Sequence, residues 1–299
     1  MINVLGSANL DLIGTVSRIP SPGETVPGGA FSTAAGGKGA NQALAARRAG
    51  ARVKMFAAVG DDDFAKGATA ELVAGGVDMS AVRTVPGTAT GVAMIFVDPH
   101  GENVIAILPG ANGTMGVGEA EAAVAGLATG DVLLLQQEIP QAATERVLDL
   151  ARGRGITTIL NTAPFLETTP AVARKASIVI ANETEFALMA GEAEPLEALM
   201  ANWAKTHGQT IIVTLGPDGA RAATPDGVLS VPALPVTPVD TVGAGDTFCG
   251  YLAAGLDAGL GLEQAMKRAA VAGSLACLKP GAQPSIPMAD EVEKAVGSL

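Results

Sequence analysis

Basic and aromatic side chains are scarce in this chain. Its 299 residues include 19 Lys and Arg against 30 Asp and Glu, for a net charge of −11. A surface this acidic repels nucleic acid and anionic lipid, so neither is expected as a partner. An anionic small substrate would need local help from Lys, from helix N-termini or from a metal ion. Cysteine occurs twice, as Cys249 and Cys277. Two cysteines make no disulfide scaffold in a chain of this length, and both are expected as free buried thiols. The two histidines, His100 and His207, stand far apart. With no HExxH, no Cys/His cluster and no Ser-His-Asp order, zinc hydrolase and triad chemistry have no residues to use. No apolar run approaches the ~20 residues that span a bilayer. Met1-Ile2-Asn3-Val4-Leu5-Gly6 runs into a strand with no basic and apolar leader ahead of it. A soluble, cytoplasmic protein is expected. Charged residues make up 16% and hydrophobic ones 48%, enough for a large core and too apolar for a disordered chain.

What the chain does have is a rhythm. Short apolar runs (Val53–Val59, Val132–Leu135, Thr157–Leu160, Ile178–Ile180, Ile211–Thr214) alternate with helical patterns (Gly39–Ala49, Ala65–Ala74, Gln141–Arg152, Glu183–Ala190, Pro195–Thr206). Alternation on this scale predicts an α/β fold, a central and mainly parallel β-sheet flanked by helices. Two long helices, Gly245–Leu256 and Leu262–Leu278, are expected near the end. Residues 9–34 and 88–108 break the rhythm with Asp, Pro, Gly and short β-prone pieces, the second with a turn at Pro99-His100-Gly101-Glu102. They read as a small β-sheet lid inserted into a single domain spanning 1–299. Ligands of open α/β sheets bind at the carboxyl ends of the strands, the edge such a lid would cover.

The most informative stretch is Asp240-Thr241-Val242-Gly243-Ala244-Gly245-Asp246-Thr247-Phe248. Glycine-spaced amides open a helix there, and bare N–H groups at a helix N-terminus hold anions. A carboxylate in the same turn is out of place if anion binding is the only task. It fits if Asp246 takes a proton from a hydroxyl while the amides hold a phosphoryl group. Phosphoryl transfer to an alcohol is the first hypothesis.

Other motifs leave two readings open when taken alone. Asn9 and Asp11, two apart on an extended segment, suit vicinal hydroxyls or an ordinary Asx turn. Gly36-Gly37-Lys38-Gly39-Ala40-Asn41-Gln42 opens a helix, as a ligand loop or as a plain glycine-rich turn. It is not a Walker A loop, because no Ser or Thr follows Lys38 and the upstream glycine spacing is wrong, and it is not a dinucleotide fingerprint, because the last glycine of that pattern is missing. Gln136-Gln137-Glu138 and Asn161-Thr162 place polar groups at ends of buried strands. Asn182-Glu183-Thr184-Glu185 reads as a helix cap or as a carboxylate and amide beside a metal–nucleotide complex. Thr214-Leu215-Gly216-Pro217-Asp218-Gly219 is a hairpin connection or a source of nucleotide contacts. Trp203 reads as core.

Together, over essentially the whole chain, these motifs resemble the ribokinase family of carbohydrate kinases. Asn9-Leu10-Asp11, Pro22-Gly23-Glu24-Thr25, Gly36 through Gln42, Gly60-Asp61-Asp62, Asn182 through Glu185, Asp240 through Phe248 and Lys279-Pro280-Gly281-Ala282-Gln283-Pro284-Ser285 carry the resemblance. It implies an ATP-dependent kinase acting on the primary hydroxyl of a sugar, with ribose as the leading acceptor. It also implies Mg²⁺, activation by K⁺ and a homodimer joined through the lid. Asp246 would be the base, and the amides of Gly243, Ala244 and Gly245 the anion hole. Asn9, Asp11, Gly37, Lys38, Asn41 and Glu138 would hold the sugar. Asn182, Thr214, Gly216, Gly219, Gly245 and Ala270 would lie along ATP, with Glu185 organising Mg²⁺ through water. Asp240, Val242, Ala276, Lys279, Gly281 and Ser285 match the family's monovalent-cation loop. Two positions depart from the pattern: Ala270, where relatives place an adenine contact, and Pro280, where the family often has a basic residue. Proline keeps its carbonyl, so a site built from backbone oxygens survives it.

In-line phosphoryl transfer needs positioning and charge neutralisation more than covalent chemistry. A protein this acidic must draw that positive charge from Mg²⁺, a helix N-terminus and K⁺. The rivals to ribose are fructose, 2-keto-3-deoxygluconate and a nucleoside, the last disfavoured by an aromatic content of 3%. A non-catalytic sugar sensor is a rival of another class, and Asp246 within an intact glycine run speaks against it.

Overall fold

Strands of pure Val and Leu can only be buried on both faces, and β8 (Val132–Leu135) is such a strand. In the computed structural model, which describes residues 1–298, it lies in the middle of a nine-stranded sheet. Val132 and Leu134 face one hydrophobic layer, and Leu133 and Leu135 face the other. Seven neighbouring strands run parallel: β5 (Asp78–Val85), β4 (Val53–Gly60), β1 (Ile2–Leu5), β8, β9 (Thr157–Asn161), β10 (Ile178–Asn182) and β11 (Thr210–Thr214). β12 (Ala220–Thr224) and β13 (Gly227–Val231) extend the sheet antiparallel at its far edge.

Helices α1 (Lys38–Arg48), α8 (Ala244–Asp257) and α9 (Leu262–Ala276) supply one covering layer, with α10 (Ala289–Val296) packed on α9. α3 (Val117–Ala125), α4 (Gln141–Arg152), α5 (Thr169–Ala173), α6 (Glu183–Ala190) and α7 (Leu196–His207) supply the other. α2 (Asp63–Ala74) joins β4 to β5. α1 and α8 pack at backbone contact. A Cβ added to Gly250 of α8 would stand 2.5 Å from the Ala45 Cβ and 2.6 Å from the Gln42 carbonyl oxygen. That close approach brings the first turns of the two helices together.

A second sheet stands apart, in the order β3-β2-β6-β7, built from β2 (Asn9–Val16), β3 (Gly28–Gly36), β6 (Gly91–Val97) and β7 (Asn103–Leu108). β2, β6 and β7 fall within the two segments read as a lid, and β3 runs two residues past the first of them, to Gly36. The segment before β6 is shorter as a strand than the sequence suggests, because residues 85–90 are tied to the body. Gly87 N–H donates to the Asp61 carboxylate, and the Thr90 N–H and hydroxyl donate to Asp62. β2 therefore leaves the main sheet directly after β1, and its residues Asn9 and Asp11 sit at the root of the lid.

Most of the expected elements stand within two residues of their expected ends. β5, β12, β13, α3, α5 and α10 carry weaker signals. β12 is rich in Ala, a poor strand former, and β5 is an edge strand with a mostly half-exposed pattern. Trp203 is buried and donates its indole N–H to Gln209. Cys249 is fully buried on α8, and burial pushes its thiol well above the usual range. Cys277 corrects the expectation of two buried thiols: it is only half-buried, one residue past the end of α9. Among the described residues no helix is long and apolar enough to cross a membrane.

Candidate active site

In the main sheet the chain proceeds from β1 outward to β4 and β5, and from β8 outward in the opposite direction to β9, β10 and β11. Strand order thus reverses between β1 and β8, and the crevice beyond their carboxyl ends is where α/β folds place ligands. Ser7 follows β1 there, and Glu138 follows β8. The Ser7 hydroxyl donates to the Glu138 carboxylate.

Two glycine-rich helix starts face this crevice, and they differ in what their amides do. At α1 the first-turn amides are already engaged. Lys38 N–H donates to Glu138 at 2.9 Å, Gly39 N–H to the Ser7 hydroxyl at 3.4 Å and Ala40 N–H to the Ser7 carbonyl at 2.9 Å. A Cβ on Gly39 would lie 2.6 Å from Ser7 N, and Gly37 takes φ 88° against the backbone of Ala8 and Asn9. These glycines let α1 start in contact with the end of β1, so the plain-turn reading accounts for them. At α8 the cap residue Gly243 also takes a left-handed φ of 78°. There the Ala244 N–H makes only a long 3.3 Å bond to the Thr241 carbonyl. The amides of Gly243 and Gly245 donate to no group among the described residues. Only the second helix start has N–H groups to offer an anion.

Asp246 sits on that first turn of α8 with 7% of its surface exposed. Asn41 Nδ2 donates to its Oδ2 at 2.9 Å, and Gln42 Nε2 to its Oδ1 at 2.9 Å. Each of these amides is held from behind. Gln283 Nε2 donates to Asn41 Oδ1 at 3.1 Å, and Gln136 Nε2 to Gln42 Oε1 at 2.6 Å. Gln42 Nε2 also donates to Asn161 Oδ1 at 3.1 Å. A carboxylate fixed by two N–H donors stays oriented and still has lone pairs for a further donor.

Around it stand the remaining acidic groups. Asp11 lies half-buried on β2, and Asn112 Nδ2 donates to Asn9 Oδ1 at 2.7 Å, which turns the Asn9 amide. Burial raises the Asp11 carboxyl to about 7, helped by the nearby charges of Glu138 and Asp246. Lys38 is the cation among them. Asp246 is the main cause of its raised pKa, with Glu138 and Glu185 adding to it against the cost of burial. Asn9, Asp11, Lys38, Asn41, Glu138 and Asp246 therefore converge on one crevice, as does the backbone of Gly37.

The other expected residues lie along its continuation. Asn182 ends β10, and Asn182 N and Glu185 N exchange bonds with the Glu185 and Asn182 side chains, a reciprocal cap of α6. Thr162 adds a 2.8 Å bond to Glu185 Oε2, which leaves Oε1 open. Thr214 pairs in register with Asn182 across β10 and β11. Gly216 and Gly219 both take left-handed φ values, and a Cβ on Gly219 would stand 2.1 Å from the Val231 carbonyl oxygen, so that glycine serves the packing of β13. Ala270 is buried in the core on α9. Asp240 bridges two loops: its carboxylate accepts from Val242 N at 3.0 Å and from Gly281 N at 2.8 Å. The carbonyls of Asp240, Val242, Lys279, Gly281 and Ser285 accept no hydrogen bond among the described residues, whereas that of Ala276 accepts a long one from Lys279 N. No group of three His, Cys, Asp or Glu side chains is arranged to hold a metal ion among the described residues.

The sequence alone gives no individual role to Ser7, Asn112, Gln136 or Asn161, and Gln42 and Gln283 enter it only as members of motifs. Gln136 and Asn161 carried a signal as polar residues ending apolar strands. The partners of Gln283 and Asn112 are not revealed by spacing, since they lie over 100 residues away.

A buried, donor-held aspartate beside free helix N-terminal amides, under a small sheet, defines a group-transfer site for an alcohol and an anion. The chain belongs to the pfkB family of carbohydrate kinases, whose model matches residues 1–289. It is an enzyme that phosphorylates a sugar hydroxyl, on the ribokinase fold that the resemblance implied. It is 37% identical over 293 residues to the ribokinase of Bacillus subtilis (98% of both chains). It is 35% identical over 295 residues to the deoxyribokinase of Salmonella typhi (97% of this chain and 96% of the relative). Among solved structures, Arabidopsis thaliana ribokinase complexed with ribose and ATP superposes with a TM-score of 0.87 at 30% identity, covering 99% of this chain and 98% of that one.

The raised Asp11 carboxyl has a consequence for stability. Its folded pKa of about 7 lies above the ordinary 3.8, so the native state holds this proton more tightly than the unfolded chain does. Asp11 therefore lowers stability progressively as pH rises through that window, with the full effect above it. Asp11→Asn should raise the unfolding free energy by roughly 1–3 kcal/mol at pH 8, with the gain vanishing near pH 4. Urea denaturation at the two pH values measures this, and equal stability of the two proteins at pH 8 would contradict it.

Proposed function

We propose that this chain transfers the γ-phosphoryl group of ATP to the primary hydroxyl of a sugar, making ribose 5-phosphate from ribose. The observation that carries the reading is the α8 N-terminus. There Asp246, oriented by Asn41 and Gln42, shares a helical turn with the unengaged amides of Gly243 and Gly245. The relatives support it, since those named ribokinase align over nearly the whole chain and the Arabidopsis thaliana protein is complexed with ribose and ATP.

In this reading the hydroxyl of the sugar donates to an Asp246 oxygen, which takes the proton as the phosphorus–oxygen bond forms. The amides of Gly243, Ala244 and Gly245 hold the phosphoryl oxygens, and the long Ala244 bond to Thr241 is the only one that must open. Asn9, Asp11, Lys38, Asn41, Glu138 and the backbone of Gly37 hold the remaining hydroxyls. Glu138 Oε2 is already used by Ser7 and Lys38, which leaves Oε1 for the sugar. The segments of Asn182, Thr214, Gly216 and Gly219 run beside ATP, and Ala270 contributes by its backbone position. The donor set suits Mg²⁺ held largely by phosphates and water, with the open Glu185 oxygen as the protein's contribution. The unengaged carbonyls of Asp240, Val242, Lys279, Gly281 and Ser285, with Ala276 beside them, suit a monovalent cation. Held there, such a cation would add positive charge behind the anion site.

Deoxyribose is the rival acceptor that a relative's name adds to fructose, 2-keto-3-deoxygluconate and nucleosides. ADP release with ATP and Mg²⁺ across these acceptors should be greatest with ribose. Asp246→Asn should keep ribose binding and lose about 10²–10⁴-fold in kcat. A variant that turns over like wild type would sink the base assignment, and a wild type that binds ribose without releasing ADP would favour a sugar sensor.

Turnover in K⁺ should exceed that in Na⁺ at equal ionic strength. Equal rates in the two salts would remove the cation loop from the reading.

The lid supports a homodimer. Its register sets Phe31, Gly14, Phe96 and Val104 abreast across four strands, and Phe31 is 71% exposed. Ile105 and Ile107 project from the opposite face, also exposed. A small sheet that packs on α2 at one end and exposes apolar side chains on both faces elsewhere is suited to cover by a second copy. Sedimentation should give twice the monomer mass, and Phe31→Glu with Phe96→Glu should halve it. A wild-type monomer at all concentrations would end this proposal.

A further inference from the structure

A side-chain amide has a donor end and an acceptor end, and what it presents to one neighbour is decided by what holds its other end. Asn41 and Gln42 both present N–H to Asp246. Reversed, each would present a carbonyl oxygen, and a carboxylate facing two carbonyls would be repelled and more readily protonated.

Each amide's direction is set by a glutamine from elsewhere in the fold. Gln283, in the loop after α9, donates to Asn41 Oδ1, and Gln136, at the end of β8, donates to Gln42 Oε1. Both glutamines are almost fully buried, and both leave their own Oε1 buried without a partner. The Gln136 Oε1 occupies the space where Gly6 would carry a Cβ. An amide placed only to satisfy packing would bond at both ends. These two use the N–H end and forgo the other, at a cost that asks for an explanation. The Gln283 loop is in turn fixed to the same helix, since the Arg48 guanidinium donates to the carbonyls of Gln283 and Ile286 at 2.7 and 2.9 Å.

We propose that Gln136 and Gln283 are positioning residues that lock the amides of Gln42 and Asn41 with their N–H ends toward Asp246, keeping that carboxylate aimed. This deepens the kinase reading and rests on Asp246 as the base. Two donor chains, Gln136 to Gln42 to Oδ1 and Gln283 to Asn41 to Oδ2, enter from opposite sides. One comes from the strand end beside Glu138. The other comes from the loop that also carries Gly281 and Ser285. The charged and titratable groups facing Asp246 are Lys38 of α1, Asp11 of β2, Glu138 after β8, Glu185 of α6 and Cys249 on its own helix. None of them is altered in the test.

The test uses the full chain with Gln136→Met, Gln283→Met and both together, which remove the donors at near-constant volume. Each single variant should lose about tenfold in kcat, and the double variant about a hundredfold, within the span that base catalysis covers. The acid limb of the kcat–pH profile, read at saturating sugar and ATP, should move to higher pH in every variant. Ribose affinity by calorimetry should hold in Gln136→Met, whose amide partner lies outside the sugar set. Gln136→Glu guards against a variant that fails to fold, because it preserves shape. While its carboxyl is protonated the O–H donates to Gln42 as the wild-type amide does, and once ionised it reverses Gln42. Its kcat should therefore be near wild type at low pH and fall at high pH, a limb absent from the parent. Folded variants whose kcat and pH profiles match wild type, in an enzyme that Asp246→Asn inactivates, would overturn the proposal. If Asp246→Asn itself turned over normally, the base assignment would fail instead, so the two failures are separable.

Discussion

The contact between α1 and α8 is the constraint on which the site depends. At Gly250 the helices touch backbone to backbone, and nothing larger than hydrogen fits between the two. From that contact the first turns run side by side, so that Asn41 and Gln42 of one helix reach both oxygens of Asp246 on the other. The residues so joined are more than 200 apart in sequence. Neither helix start is held by a side-chain cap of its own, and their order comes from the sheet. α1 is seated by Ser7 and Glu138 at the ends of β1 and β8. α8 is seated by its partner helix and by the Gly243 backbone, where a Cβ would lie 2.9 Å from Ala282.

Two glycine-rich starts that look alike on paper thereby acquire different duties. At α1 every first-turn amide has found an internal acceptor, and one of those acceptors is a carboxylate. An anion placed there would compete with Glu138 and be repelled by it. At α8 the amides of Gly243 and Gly245 meet no such acceptor among the described residues, and the carboxylate of their own turn, Asp246, accepts from Asn41 and Gln42 instead. The dipole of α8 is thus left for an external anion, while the start of α1 is engaged in holding the Glu138 carboxylate in place. A carboxylate and an anion site can share one helical turn because neighbouring side chains draw the carboxylate aside.

This division was only half legible in the sequence. The parallel sheet was plain, because Val132–Leu135 and the other apolar runs admit few alternatives to burial on both faces. The lid was visible as a loss of helical periodicity in residues 9–34 and 88–108. Asp246 stood out because an acidic residue in an anion-binding turn contradicts simple electrostatics. Two kinds of feature stayed hidden. The Gly60-Asp61-Asp62 motif could be quoted, but that both carboxylates hold the lid's root at Gly87 and Thr90 depends on a packing that sequence order does not encode. Likewise the direction of a side-chain amide is a property of its neighbours. Nothing in the spelling of Asn41 or Gln42 says which end meets Asp246, and the glutamines behind them come from a strand end and a C-terminal loop.

The acidity of the crevice gives the last step. Glu138, Asp246 and Glu185 act on Lys38, and Asp11 stands near two of them, so the carboxyl groups of the crevice outnumber its one cation. Asp11, the carboxyl with the fewest donors, is pushed toward neutrality, first by burial and then by the charges of Glu138 and Asp246. Asp246 and Glu138 each hold two N–H or O–H donors from the fold. A polyhydroxyl ligand brings what Asp11 lacks, because sugar hydroxyls donate to carboxylates and can relieve repulsion that the protein alone leaves standing. An anionic sugar brings more charge of the wrong sign. The same excess that favours a neutral acceptor would oppose the phosphates of the donor. In the proposed reading those phosphates would be met by the α8 amides, which stand free on the same turn as Asp246. Which backbone groups the fold has satisfied would thus separate a place for a neutral polyol, beside the engaged start of α1, from a place for a polyanion at the free start of α8.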